Sequence, residues 1–251
     1  MTTNSLPEQC CTLPPTKTAY TPLGRTTTII VRGKSFPLYT TGPQESKHIL
    51  VGIYDICGLH ANTLRGADYL AAKTGYSIII PDFFAGDGWD PNNIPPKEGR
   101  AALNAWIQRV GAWEKVGPVL EAVVEQVRKS GAEAIGAYGY CFGAKKLSQG
   151  AHLHFFKAMA LIHPSQFQAE DADDMDMPVA LMPSGGEDKD AMDGFWGRMQ
   201  KKAVGERCVR QDFLDCNHGF ASARSDWEDS RLGSRVREVY DIMGKFFESN
   251  L

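Results

Sequence analysis

The segment from Ala134 to Gln149, AIGAYGYCFGAKKLSQ, restricts the possible folds more than any other part of the sequence. Its apolar beginning predicts a β-strand, the centre Gly139–Gly143 (GYCFG) predicts a sharp turn, and the residues from Ala144 onward favour a helix. The turn matches the pattern G-x-S-x-G with Cys141 at the serine position. In that pattern two glycines let the strand and the helix pass closely, and the start of the helix favours a thiolate. Taken alone, the pattern leaves an alternative open, a buried structural cysteine in a glycine-rich turn.

Length and charge exclude several classes of protein. The chain has 251 residues, of which 43% are hydrophobic, and a formal net charge of -3. One large core is expected, and we expect neither a nucleic acid nor a membrane as partner because the charge attracts neither. No apolar run is long enough to cross a bilayer, and the first residues, MTTNSLPEQC, do not resemble a secretion signal, so we expect a cytoplasmic protein. Six cysteines without a C-x-x-C pair argue against a disulfide framework or a zinc site, so no metal is expected.

Strands and helices alternate along most of the chain, which predicts a mostly parallel sheet in one α/β domain spanning residues 1–251. Within it, residues 1–25 are interpreted as an extended N-terminal arm. Apolar patterning predicts strands at 26–32, 36–40, 48–54, 76–80, 157–162, 178–182 and 208–214, besides the strand that opens at residue 134. It predicts helices at 63–74, 98–129, 190–201 and 227–247, besides the one after Cys141, with Gly111 and Gly117 as interruptions of the longest.

A cysteine nucleophile requires a base and a carboxylate that orients the base. In the fold that carries such a turn, the order along the chain is nucleophile, acid, histidine. Asp188 follows the strand at 178–182, and His218 follows the strand at 208–214, so residues of the required types occur in the required order. We therefore predict a Cys141, Asp188, His218 triad. Glu187 and Asp190 are rivals of Asp188, because a shift of one or two residues in the turn would exchange them.

These motifs together resemble one known family. The residues that carry the resemblance are Gly139–Gly143 (GYCFG), 186–188 (GED), 218–220 (HGF), 54–58 (YDICG) and 81–84 (PDFF). They are similar to the dienelactone hydrolase family of α/β-hydrolases, in particular to its fungal and other eukaryotic members. The resemblance implies a single-domain α/β-hydrolase fold with helices on both faces of the sheet. It also implies that Cys141 attacks a lactone or ester carbonyl, and that the backbone N–H groups of Ile56 and Phe142 hold the oxyanion.

The resemblance also points to residues that would bind or gate. Bacterial members carry a glutamate close to the resting cysteine at the position of Asp55, and an arginine beyond the histidine that binds a substrate carboxylate. Here Asp55 is shorter, and the nearest arginine, Arg224, is displaced by about two positions. Arg224 is therefore either a carboxylate ligand or a solvated charge. The aromatic loop contains residues that either wall a flat substrate or belong to the core, namely Phe83, Phe84 and Trp89.

The sequence therefore predicts a cysteine-dependent hydrolase of a small lactone or ester that works through an acyl-thioester without cofactor, as a monomer or homodimer. Two alternatives remain open, a non-hydrolytic natural-product enzyme such as an isomerase or cyclase, and a non-catalytic binding protein. A thiol-redox protein is disfavoured because no second cysteine is placed in sequence to resolve Cys141, although Cys57 and Cys216 lie in loops that could approach it. His163, before Pro164, is interpreted as a structural residue near the site.

Overall fold

The computed structural model describes residues 12–251, so the predicted arm is described only from residue 12 onward. Within this range the chain forms one eight-stranded sheet and six α-helices. The strands are β1 (Arg25–Val31), β2 (Lys34–Thr41), β3 (His48–Ile53), β4 (Ser77–Pro81), β5 (Ala134–Tyr140), β6 (Met159–Ile162), β7 (Val179–Met182) and β8 (Val209–Arg210). The helices are α1 (Ala61–Thr74), α2 (Arg100–Val110), α3 (Trp113–Lys129), α4 (Phe142–Gln149), α5 (Lys189–Met199) and α6 (Ser230–Asn250).

The order of the strands across the sheet is β1-β2-β4-β3-β5-β6-β7-β8. The first two form an antiparallel hairpin, β2 pairs antiparallel with β4, and all pairings from β4 to β8 are parallel. The predicted α/β class with a mostly parallel sheet is therefore confirmed. Because parallel strands end at the same edge of a sheet, the loops after β3, β5, β6, β7 and β8 meet at one edge.

Helices cover both faces of the central strand β5, whose residues are all buried. On one face Tyr140 donates its hydroxyl hydrogen to the Tyr240 hydroxyl of α6, with an O···O distance of 2.8 Å. On the other face Gly139 faces the backbone of Gly143 in α4. This alternation follows from the two-residue period of a strand, and it buries β5 without charged side chains. No helix in the described part of the chain has both the length and the apolar composition of a membrane span.

Two elements differ from the sequence prediction. The helical region predicted at 98–129 is two helices, and the predicted interruption at Gly111 is confirmed, since α2 ends before Gly111, where an added Cβ would lie 2.5 Å from the Phe142 ring. The second predicted interruption is wrong, since Gly117 lies within α3. The last strand has only two residues in the regular ladder, but the chain continues beside β7 through Gln211 N–H to the Leu181 carbonyl and Phe213 N–H to the Pro183 carbonyl.

The described part of the N-terminal arm, residues 12–24, runs over the domain without regular secondary structure. The Tyr20 hydroxyl and the Leu23 N–H both donate to the Asp68 carboxylate of α1, at 2.8 and 2.9 Å. The Thr16 N–H donates to the Ala223 carbonyl at 3.1 Å. The arm is therefore bound to the loop that follows His218 as well as to α1. Cys10 and Cys11 lie outside the described residues.

The close approach of α4 to β3 yields a stability prediction. A Cβ at Gly143 would lie 2.2 Å from the Ile53 carbonyl oxygen, whereas a Cβ at Gly197 in α5 meets no atom within 4 Å. We expect Gly143→Ala to lower the free energy of unfolding by about 1–3 kcal/mol, since backbone atoms must move apart. Gly197→Ala is the matched control and should be neutral or slightly stabilising. Urea unfolding of both variants checks this, and equal stabilities would contradict the proposed close approach.

Candidate active site

Cys141 occupies the turn between β5 and α4 in a strained backbone conformation. Its φ and ψ angles are 52° and -112°, and its side chain is buried. A Cβ at Gly139 would lie 2.5 Å from the Gly143 carbonyl carbon, so both flanking positions exclude a side chain. Positive φ costs a non-glycine residue about 1–3 kcal/mol and persists only where the surroundings enforce it. The predicted strand, turn and helix are therefore present, with the cysteine at the end of the central strand.

His218 lies in the loop after β8 and reaches Cys141. Its ring interacts with the Cys141 side chain, and it is fully buried. Burial lowers the pKa of His218, but the negative charge of a Cys141 thiolate and the hydrogen bond to it act in the opposite direction. The hydrogen bond to Glu187 and the negative charge of Glu187 also raise the pKa. Together these effects raise the pKa of His218 to about 10. The ring is therefore charged at neutral pH when it faces a thiolate.

The carboxylate beside the histidine belongs to Glu187, and the prediction of Asp188 is wrong. The distance between His218 Nδ1 and Glu187 Oε1 is 2.5 Å, and the Glu187 side chain is only 2% exposed. Glu187 is itself fixed by the Ser184 hydroxyl, which donates to Oε1 at 2.9 Å, and by the Ser184 N–H, which donates to Oε2. Asp188 instead caps α5, where its carboxylate accepts from the Ala191 N–H at 3.0 Å. The carboxylate of Asp188 is thus engaged at the start of α5, and the carboxylate bonded to His218 Nδ1 is that of Glu187.

The two predicted oxyanion donors lie in the segments that follow β3 and β5. Phe142 is the first residue of α4, where N–H groups have no intrahelical partner. Ile56 lies in the turn after β3, between Asp55 and Cys57, whose N–H donates to Asp55 Oδ1 at 2.8 Å. Among the backbone hydrogen bonds of turns, loops and caps within residues 12–251, none is donated by the N–H of Ile56 or Phe142. Because β3 and β5 are neighbours in the sheet, both amides belong to segments that follow adjacent strands, and Cys141 lies at the end of β5.

Asp55 is fully buried and tied to the loop beyond the histidine. The Ser222 hydroxyl donates to Asp55 Oδ2 at 2.5 Å, and the Ala223 N–H donates to the same oxygen at 3.3 Å. With the Cys57 N–H on its other oxygen, the carboxylate joins the loop after β3 to the loop after β8. This geometry favours a structural tie over the predicted gate. Ser222 has no distinctive sequence pattern, because it contacts a residue 167 positions away.

Arg224 is buried near the histidine and is therefore not a solvated charge. Its Nε donates to the Leu13 carbonyl of the arm at 2.5 Å, and its side chain packs against Gly219, beside His218. Its charge lowers the pKa of both Cys57 and His163, in each case as a lesser contribution than burial. The cation thus lies within electrostatic range of the site. Its role as a carboxylate ligand stays a prediction.

The predicted aromatic wall is part of the core. Phe83, Phe84 and Trp89 are all buried, and the Phe84 N–H donates to the Tyr54 hydroxyl at 2.8 Å. The Phe84 ring lies 5.4 Å from the Phe142 ring between centroids, so it supports the residue next to the nucleophile. This placement favours the core interpretation of the three residues. Contact between them and a substrate remains a prediction.

Two further groups approach the site. His163, at the end of β6, lies 5.0 Å from His218 between ring centroids. Burial first, then the charges of His218 and Arg224, hold the pKa of His163 well below its usual range, so the ring is neutral.

Burial raises the pKa of Cys57 well above its usual range, and the charges of Asp55 and Cys141 raise it further, so Cys57 stays a thiol. Cys57, Cys208 and Cys216 form no disulfide within the described residues.

Comparison with known proteins identifies the family and the relatives that this chain resembles. A model of the dienelactone hydrolase family matches residues 36–250. An uncharacterized AIM2 family protein of Schizosaccharomyces pombe is 30% identical over 215 residues, which cover 84% of this chain and 86% of that protein. The hydrolase tropI of Talaromyces stipitatus is 26% identical over 94% of both chains. The structure of a putative dienelactone hydrolase from Klebsiella pneumoniae has a TM-score of 0.69 at 17% identity, covering 91% of this chain and 99% of that one.

The chain therefore belongs to the dienelactone hydrolase family, as its motifs predicted. The structure in the comparison supports the α/β-hydrolase fold alone, because its sequence identity is low. The family match and the relatives identify the chain as an enzyme of the ester and lactone hydrolase class.

The contact between Glu187 and His218 can be tested without an assay of turnover. Glu187→Gln keeps the shape of the side chain but removes its charge, so the pKa of His218 should fall from its raised value by about one pH unit or more. Asp188→Asn is the matched control, since asparagine also caps helices, and it should leave this pKa unchanged. Titration of the ring by NMR checks both variants. An equal change in the two would contradict the assignment of Glu187.

Proposed function

We propose that the protein hydrolyses a small lactone or ester with Cys141 as nucleophile, His218 as acid and base, and Glu187 as the orienting carboxylate. The observation that carries the proposal is that one buried imidazole interacts with the Cys141 side chain and hydrogen-bonds a carboxylate through Nδ1. A cysteine with this arrangement is a nucleophile activated by a neighbouring base. No cofactor is needed for the reaction.

In the first half of the reaction, the Cys141 thiolate attacks the carbonyl carbon. The carbonyl π electrons move to oxygen, and the N–H groups of Ile56 and Phe142 stabilise the negative charge that develops there. When the tetrahedral intermediate collapses, the bond to the leaving oxygen breaks and His218 gives its proton to that oxygen. The products of this half are an acyl-thioester and a neutral imidazole.

In the second half, neutral His218 takes a proton from water as the water oxygen attacks the thioester carbonyl. The same two N–H groups hold the second oxyanion, and collapse releases the acid and the thiolate while the imidazole keeps the proton. Glu187 accepts a hydrogen bond from Nδ1 throughout and holds the ring in one tautomer. The sum is one ester and one water converted to one acid and one alcohol.

Three features support this chemistry over a relict pocket. Burial of Cys141, His218 and Glu187 strengthens the electrostatic interactions among them. The strain at Cys141 is maintained by close backbone contacts on both sides of the turn. The relatives include a protein described as a hydrolase, and also a mouse carboxymethylenebutenolidase homologue that is 30% identical over 112 residues.

The experiment that tests the proposal is turnover of dienelactone, aryl esters and small lactones at neutral pH. We expect wild-type activity on at least one substrate, with kcat/KM lowered about a hundredfold or more by Cys141→Ala, His218→Ala and Glu187→Gln. Asp188→Asn should retain activity close to wild type. Acid quenching during turnover should give an acyl adduct that mass spectrometry locates on Cys141.

Two outcomes would contradict the proposal. Activity that survives Cys141→Ala would exclude this nucleophile. A substrate that is consumed without release of acid and alcohol would instead support the non-hydrolytic alternative, an isomerase or cyclase that uses the same pocket.

A further inference from the structure

His163 is a buried polar group that the proposed mechanism does not use. Its relative exposure is 0%, and its ring stacks on Tyr140 and packs against Phe220 and His218. Within residues 12–251, neither ring nitrogen has a hydrogen-bond partner. Leaving a buried donor or acceptor unsatisfied costs about 1–3 kcal/mol. An apolar ring would fill the same space without that cost, so packing alone does not account for an imidazole.

The backbone at His163 is also unusual. Its φ is 36°, a value that side-chain-bearing residues rarely adopt, and its N–H donates to the Met182 carbonyl of β7 at 2.8 Å. Two residues further on, the Ser165 N–H donates to the Cys141 carbonyl at 3.2 Å, and the Ser165 hydroxyl is a second buried group without a partner. The loop after β6 therefore brings two unsatisfied polar groups beside the nucleophile. Strained backbone and unsatisfied polar groups occur together most often at functional sites.

We propose that His163 is a specificity-determining residue that hydrogen-bonds a hydroxyl group of the substrate next to the scissile carbonyl. The proposal rests on the hydrolase function proposed above and adds the substrate class, hydroxylated esters or lactones. A neutral imidazole offers one N–H donor and one acceptor nitrogen, and a hydroxyl group both donates and accepts. A site that is built to bond a hydroxyl rejects the analogue without it, because its own polar group is then left unpaired.

The position of the ring limits where this hydroxyl lies. The His163 ring is adjacent to the His218 ring, and His218 contacts the attacking sulfur. The substrate oxygen is therefore only a few bonds from the carbonyl carbon. It belongs either to the acyl chain, at carbon 2 or 3, or to the leaving group, on the carbon next to the one that bears the ester oxygen.

The test compares matched substrates in matched variants. The substrates are phenyl butanoate, its 2-hydroxy and 3-hydroxy acyl derivatives, and 2-hydroxyphenyl butanoate, which carries the hydroxyl on the leaving group. The readout is the ratio of kcat/KM for each hydroxylated ester to that for phenyl butanoate. His163→Phe keeps an aromatic ring without donor or acceptor, and His163→Gln keeps both in an amide. The control is His154→Phe, which replaces an exposed histidine that also has a positive φ, 50°.

We expect wild type to prefer one of the hydroxylated esters, and His163→Phe to lower that ratio about tenfold or more. His163→Gln should restore part of the preference, and His154→Phe should leave the ratio unchanged. Equal losses on all esters with His163→Phe would show that the residue only packs, and would overturn the proposal. An unchanged ratio in His163→Phe, or no hydroxyl preference in wild type, would overturn it as well.

Failure of this proposal is distinguishable from failure of the hydrolase function. If wild type cleaves phenyl butanoate and Cys141→Ala does not, the hydrolase function stands, and only the ratios decide the role of His163. If wild type cleaves no ester in the set, both proposals fail. Circular dichroism and urea unfolding identify a variant that has lost its fold. If His163→Phe is such a variant, the hydroxyl preference of His163→Gln compared with that of wild type tests the role of His163.

Discussion

The close contact between the start of α4 and the end of β3 controls the geometry of the whole site. Gly143 lies against the Ile53 carbonyl, and Gly139 lies against the backbone of Gly143, so the helix cannot move away from the sheet without opening both contacts. Cys141 is held between them with positive φ at the end of the central strand. This contact also places the start of α4 beside the end of β3, which precedes the turn that contains Ile56. Nucleophile and proposed oxyanion donors are therefore set by backbone packing and not by flexible side chains.

The histidine and its acid reach this point because their loops are joined. The chain after β8 follows β7 beyond the regular ladder, and the Gly185 N–H donates to the Cys216 carbonyl at 2.9 Å, which fixes the two loops beside each other. The backbone positions of Glu187 and Asp188 then give their two carboxylates different hydrogen-bond partners. Asp188 is the N-cap residue of α5, and a carboxylate at that position accepts a hydrogen bond from an N–H in the first turn of the helix. Glu187, one residue earlier and one methylene longer, is the one that faces His218.

The sequence predicts the fold well because the alternation of apolar strands and helices and the glycine-flanked turn are local patterns. The error at the acid is also local. The predicted helix began at residue 190, and a start at Lys189 with Asp188 as cap would have left Glu187 as the orienting acid. Other contacts have no local pattern, such as the bond from Ser222 to Asp55 and the packing of Gly111 on Phe142, because they depend on residues distant in the chain. The unsatisfied nitrogens of His163 likewise become visible only when its neighbours are in place.

Polar groups of α1 and the N-terminal arm hold in place the loop that carries His218. Asn62 of α1 donates to the carbonyls of Thr16, Ala223 and Ser225 at 3.0, 3.3 and 2.9 Å. Together with the bond from Arg224 to the arm, these contacts join α1, the N-terminal arm and the loop after His218. Buried backbone carbonyls in an irregular loop require such partners, or the loop would open to water. The arm therefore stabilises the position of His218 indirectly, and catalytic geometry depends on a segment that precedes the first strand.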